Sequence, residues 1–227
     1  MKVLLLAALL ALPTGGAGGV STPASQVGRM TLNAALVQAA GRGDAAAVRA
    51  LLARGASPNA RREDGRTALT AAALGDHVTV ARLLVDAGAD PNPQDQARNN
   101  ALLVTGETGS VAMLREVLRA GPDLTRTNRF GGTALIPAAD RGHVEYVREL
   151  LKTGIDVDHV NNLGWTALLE AVILGDGGAH HTEIVRLLLG AGADPSLADR
   201  DGVTPLEHAK KRGYTTIVRL LQAVGAR

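Results

Sequence analysis

An apolar residue and a glycine recur along this chain at a separation of 19: Leu36 and Gly55, Leu69 and Gly88, Leu102 and Gly121, Leu135 and Gly154, Leu206 and Gly225. A further pair, Leu168 and Gly192, is stretched by five residues. Leu36, Leu69, Leu102, Leu135 and Leu168 themselves advance in steps of 33. A fixed period of this length means a solenoid, in which one supersecondary unit buries its apolar face against copies of itself. Such a stack offers an extended binding surface rather than a reaction pocket.

The residues ahead of the array form a separate object. Lys2 and the amino terminus supply a positive stretch, Val3–Leu12 is an uninterrupted apolar run, Pro13 breaks it, and small residues follow through Gly19. That order reads as a cleavable secretory signal. The apolar run is too short to span a bilayer, which takes about 20 residues. The expected signal is residues 1–17, with cleavage after Ala17 as first choice and after Ala24 as second. Residues 18–30, rich in Gly, Ser, Thr and Pro, are expected to form a flexible leader. The chain has no cysteine, so stability must come from stacking alone, and a thiol nucleophile or Cys-ligated zinc is excluded. The net charge of +2, with acids and bases interspersed, does not resemble the footprint of a nucleic-acid binder.

The fourth unit, Gly132 to Gly154, shows the internal logic. Thr133 stands where a helix N-cap is needed, and Thr67, Thr166 and Thr204 take the same place in other units. Pro205 follows Thr204 at a first helical position that tolerates proline. A short helix with small residues on its inner side is then expected to stop at a left-handed glycine: Gly43, Gly109, Gly142, Gly175 or Gly213, with Asp76 taking that place in unit two. A second helix carries a stripe such as Val147, Leu150 and Leu151, and a polar, turn-forming stretch leads to the next threonine.

These residues resemble the ankyrin repeat family. Gly65-Arg66-Thr67-Ala68-Leu69 and Gly202-Val203-Thr204-Pro205-Leu206 are similar to its opening motif, Gly142-His143 to its central Gly-His, and Gly88-Ala89-Asp90-Pro91-Asn92 to its close. The resemblance implies an all-α solenoid of about six helix-turn-helix units with projecting loop fingers, over residues 31–63, 64–96, 97–129, 130–162, 163–200 and 201–227. It also gives His143 a structural role in capping the neighbouring turn. Unit three departs from the pattern, having Asn100 in place of the threonine, and the first and last units read as caps.

Candidate contact residues lie on the loops and the inner helices. The loop tips contribute Arg62, Arg66, Arg98, Arg129, Phe130, Asn162, Trp165 and Arg200. Phe130 is the outlier among them, because a bulky apolar residue at a loop tip has little core to join; the Trp165 ring either packs over the loop stack or anchors a partner. On the inner side Glu107, Asp140, Arg141, Glu170 and Lys211 are the polar candidates. The extra residues of unit five, Asp176 to His181, are expected to form a loop, either a protrusion that touches a partner through His180 and His181 or a tolerated insertion. Two adjacent imidazoles supply at most two ligands, short of a catalytic zinc site, so no metal is expected. No nucleophile elbow, phosphate loop or dinucleotide fingerprint is present, and neither an enzyme nor a cofactor is expected.

The expectation is a non-catalytic, monomeric protein-binding module of the bacterial periplasm, with no nucleic-acid partner and no stable membrane insertion once the signal is removed. Small exported bacterial ankyrin proteins similar to this one over Gly164–Tyr214 are in some cases linked to periplasmic catalase, which implies a partner in peroxide defence. The alternative is an inhibitor or immunity protein that occludes a toxin or enzyme active site.

Overall fold

Twelve α-helices follow one another in six antiparallel pairs along residues 23–226, the part of the chain described by the structure, a computed structural model. The first helices of the pairs are α1 (Pro23–Gly41), α3 (Ala68–Leu74), α5 (Ala101–Thr108), α7 (Leu135–Asp140), α9 (Ala167–Ile173) and α11 (Pro205–Lys211). Their partners are α2 (Ala45–Ala53), α4 (Val78–Asp86), α6 (Val111–Arg119), α8 (Val144–Leu150), α10 (Ala179–Gly190) and α12 (Thr215–Ala223). Each first helix touches the next first helix and each second helix the next second helix, so the fold is two parallel rows. We call them the inner and outer rows. Among the described residues there is no strand, only one isolated bridge between Arg61 and Thr67.

The expected signal peptide, residues 1–17, lies outside the described residues. Part of the expected leader does not, and it differs from the reading above. α1 starts at Pro23, so residues 23–30 are the first turns of a helix rather than a flexible lead-in.

The inner row is built almost entirely of small and medium apolar side chains because it is flanked on both sides. Leu36, Leu69, Leu102, Leu135, Leu168 and Leu206 are all at most 2% exposed, as the 33-residue spacing requires. Small neighbours let these helices approach closely. A Cβ added at Gly106 would stand 2.2 Å from the Ala134 carbonyl oxygen, so only glycine lets α5 and α7 come together there.

Capping follows the sequence with one exception. Thr67, Thr166 and Thr204 accept from the N–H groups of Thr70, Leu169 and Glu207, and Asn100 does the same for Leu103, replacing the missing threonine of unit three. Thr133, the expected cap of α7, makes no such bond, and its hydroxyl is buried without a partner. The reason is Pro137 in the first turn, which has no N–H to donate back to the Thr133 carbonyl. The Ile136 N–H goes there instead, at 3.3 Å, and the helix starts one residue late.

Unit five also departs from expectation. The left-handed residue is Gly177 (φ +70°), whereas Gly175 is not left-handed. Gly175 is glycine for space: an added Cβ would lie 2.1 Å from the Ala171 carbonyl oxygen and 2.7 Å from the His181 ring. The inserted stretch is not wholly a loop either. Ala179, His180 and His181 form the first turn of α10, which reaches 12 residues where α4 and α6 have 9.

Candidate protein-interaction surface

Between each outer helix and the next inner helix the chain makes a five-residue tip, and all five tips share one geometry. They are residues 62–66, 95–99, 128–132, 161–165 and 199–203. In each, the first N–H donates to the fifth C=O and the fourth N–H donates to the first C=O. From the second tip on, the first residue is Asp or Asn, and its Oδ1 accepts the N–H groups of the third and fifth residues at 2.8–3.1 Å. This is the local preference of Asx side chains for backbone two residues on, repeated in four of the five tips. The first tip has Arg62 in that place, and Asp64 instead accepts the Arg66 N–H.

Neighbouring tips are tied to one another. The Gln96 N–H donates to the Asp64 carbonyl, and the Gln94 side chain donates to the Thr127 carbonyl at 2.8 Å. The Asn162 N–H donates to the Phe130 carbonyl at 2.9 Å, and the Arg200 guanidinium donates to the Asn162 carbonyl. The tips therefore form a row of interlocked turns, ordered by their own bonds.

Most of the candidate residues on the tips are presented outward. Phe130 is 56% exposed, with the Arg129 guanidinium 4.7 Å from its ring centroid. Arg62 is exposed beside Asp64, and Arg98, Asn162 and Arg200 are exposed. Arg66 is half-buried, 3.7 Å from the Asp95 carboxylate, and Trp165 is half-buried with its backbone held by Asn161. Leu163 (54% exposed) and Val160 (49%) join them, which sequence reasoning missed because leucine and valine are unremarkable residues until their burial is known.

The inner-side candidates divide. Arg141 is exposed and 3.4 Å from Glu107, leaving both accessible. Glu170 is only 6% exposed, and the Asn161 side chain donates to it at 2.8 Å, so it serves the fold rather than a partner. Burial, joined by the negative charge of Asp140 and opposed by the Asn161 bond, pushes its carboxyl up to about 7.

The two histidines of unit five differ. His180 is exposed on the first turn of α10. His181 is not free for a partner: its Nε2 bonds the Asp140 carbonyl at 2.8 Å and its Nδ1 meets Asp176. His77 and His143 make the same contact, through Nε2, with the Gly41 and Glu107 carbonyls of the preceding unit. His143 thus ties two units together at the last turn of α5, in line with the neighbouring-turn role expected of it, and Tyr214 ties two units through its hydroxyl to Gly175.

A second set of residues escaped the sequence reading. On the outer row Arg82 bonds Glu116 at 2.6 Å, Arg115 bonds Glu149 at 3.0 Å, and Arg148 bonds Glu183 at 3.1 Å, each reaching from one unit to the next. Arg119 adds bonds to Glu116 and Asp86, Lys152 one to Glu149, and Arg186 one to Glu183. Burial works to raise the Glu116 carboxyl, yet Arg82 and Arg119 hold it below its ordinary range. The recurrence of Arg82, Arg115 and Arg148 at intervals of 33 was the available signal. Every cation named in this belt meets a carboxylate. Among the described residues no group of three or more His, Asp or Glu side chains is placed to hold a metal ion, and no helix is long and apolar enough to cross a membrane.

Comparison with known proteins fits this geometry. The family model for ankyrin repeats in three copies matches residues 24–95 and 102–199. An ankyrin repeat domain from Acinetobacter baumannii AYE, of known structure, is 50% identical with a TM-score of 0.82, over 85% of this chain and 98% of that one. A second solved ankyrin repeat protein, EF0377, is 37% identical with a TM-score of 0.80 over the same shares. A putative ankyrin repeat protein of Escherichia coli (strain K12), YahD, is 53% identical over 57 residues, which is 25% of this chain and 28% of that relative. With the repeat period, the two helical rows and these matches in agreement, the chain belongs to the ankyrin repeat family.

Proposed function

We propose that this chain is a periplasmic binding module that presents its row of tips to another protein and supports a partner in peroxide defence. Ankyrin repeat domains are generally protein–protein interaction modules, and the fold is typically a non-catalytic scaffold. The observation that carries the reading is a large aromatic, Phe130, held 56% exposed on a tip whose backbone is fixed by its own hydrogen bonds. An exposed aromatic on a rigid turn is an anchor that loses little conformational freedom on binding. The periplasmic location rests on the signal-like order of residues 1–19, and the peroxide link on the resemblance over Gly164–Tyr214.

The test is a pull-down from periplasmic extract of the source bacterium, with and without peroxide stress, read by mass spectrometry. The expected result is one stoichiometric protein, enriched under peroxide and lost when Phe130 and Trp165 are both changed to Ala. Fractionation that finds the chain in the cytoplasm, or capture that ignores both substitutions, would overturn this reading.

A further inference from the structure

The tips do not share one chemistry. The first carries the acids Glu63 and Asp64, and the last carries Asp201. The three between them have no exposed carboxylate, because Asp95 is 8% exposed and spent on its own turn. In their place stand Arg98, Arg129, Phe130, Asn162 and Leu163. Phe130 and Leu163 occupy the same position in successive tips, and the bond from the Asn162 N–H to the Phe130 carbonyl makes them neighbours. Arg200 leans from the last tip onto the Asn162 carbonyl, bringing a third guanidinium to the edge.

Two contrasts mark this strip as different from ordinary surface. On the outer helices of units two to five, the units whose tips are at issue, Arg82, Arg115, Arg119, Arg148 and Arg186 all meet carboxylates. Arg98, Arg129 and Arg200 on the tips meet none among the described residues, as is also true of Arg49 and Arg219 on the outer helices of the end units. The second contrast is conformational. Arg98 is left-handed (φ +59°) at the one tip position where the other four have Gly65, Gly131, Gly164 and Gly202, all left-handed. A side chain there is strained where glycine is not, so the turn alone gives no reason for arginine.

We propose that the tips of units two to five form a docking strip for a protein segment that carries an aromatic or long aliphatic side chain among carboxylates. The apolar pair Phe130 and Leu163 receives the apolar side chain, and Arg98, Arg129 and Arg200 receive the carboxylates by charge-assisted bonds. Complementary charge of this kind sets specificity and speeds encounter. The inference rests on the protein-binding reading of the same face.

The test is selection of random displayed peptides on the chain from residue 18 onward, which contains every described helix, followed by anisotropy titration of the enriched peptides. The expected peptides are rich in Asp and Glu around a Phe, Trp or Leu. Their affinity should fall about tenfold or more in Phe130→Ala, the scale of a hot-spot contact, and fall with added salt. Arg98→Gly is the decisive variant: it should weaken binding while leaving the melting temperature unchanged or higher. Enrichment of basic peptides, or of none, would overturn the strip and leave the pull-down to judge the broader reading. So would binding that survives these changes and is lost in Glu107→Ala with Arg141→Ala on the inner side. Single-stranded DNA that binds in a Phe130-dependent way would reassign the strip to nucleic acid.

Discussion

Glu170 sits on α9 where it closes the fourth tip, and its carboxyl answers to burial and to two neighbours at once. Burial and the charge of Asp140 favour the neutral form, the Asn161 amide favours the charged one, and the balance lies near 7 rather than at the ordinary 4.5. The folded chain therefore holds this proton more tightly than the unfolded chain. Its contribution to stability is full below about 4.5 and is lost as the pH rises toward 7. Glu170→Gln keeps an acceptor for Asn161 and removes the charge. Measured by urea unfolding, the variant should gain on the wild type by on the order of 2 kcal/mol between pH 4.5 and pH 8. A difference that is equal at both pH values would contradict the assignment.

Among the helices, two threonines in equivalent positions should behave oppositely. Thr166→Ala removes the acceptor for the Leu169 N–H and should cost about 1 kcal/mol. Thr133→Val removes a buried hydroxyl that has no partner and should be neutral or stabilising. Thermal unfolding of the pair checks this, and an equal loss in both would contradict the account of α7. The same contrast explains what the sequence could show. Features that recur in every unit were legible, among them the leucine series, the caps at Thr67, Thr166 and Thr204, and the left-handed Asp76. Features set by a single neighbour were not. Pro137 disarms Thr133, Gly175 yields the left-handed place to Gly177, and His181 takes up the inter-unit role of His77 and His143. Phe130 and its neighbour Arg129 are exposed on a tip, as their place in a turn-forming stretch suggested, but Glu170 is buried, because polarity in a sequence does not reveal burial.

Across the whole molecule, stability is a sum of contacts between neighbouring units, so the spacing of the rows matters more than helix propensity. Gly106→Ala makes the point. Alanine is the better helix former by about 1 kcal/mol, but its Cβ would meet the Ala134 carbonyl oxygen at 2.2 Å and push α5 from α7. The variant should therefore lose about 1–3 kcal/mol in denaturant unfolding. A gain in stability would show that the rows are not in close contact there.

The central claim is that the tips are ordered before any partner arrives, so that binding meets a finished surface. Hydrogen exchange on the free protein tests it directly, at the amides of Phe130, Gly131, Gly132, Leu163, Gly164 and Trp165, each of which donates within its own tip. The account predicts exchange slowed by about tenfold or more relative to an unfolded chain. Exchange of these amides at unfolded-chain rates would contradict it and make the surface one that a partner must build.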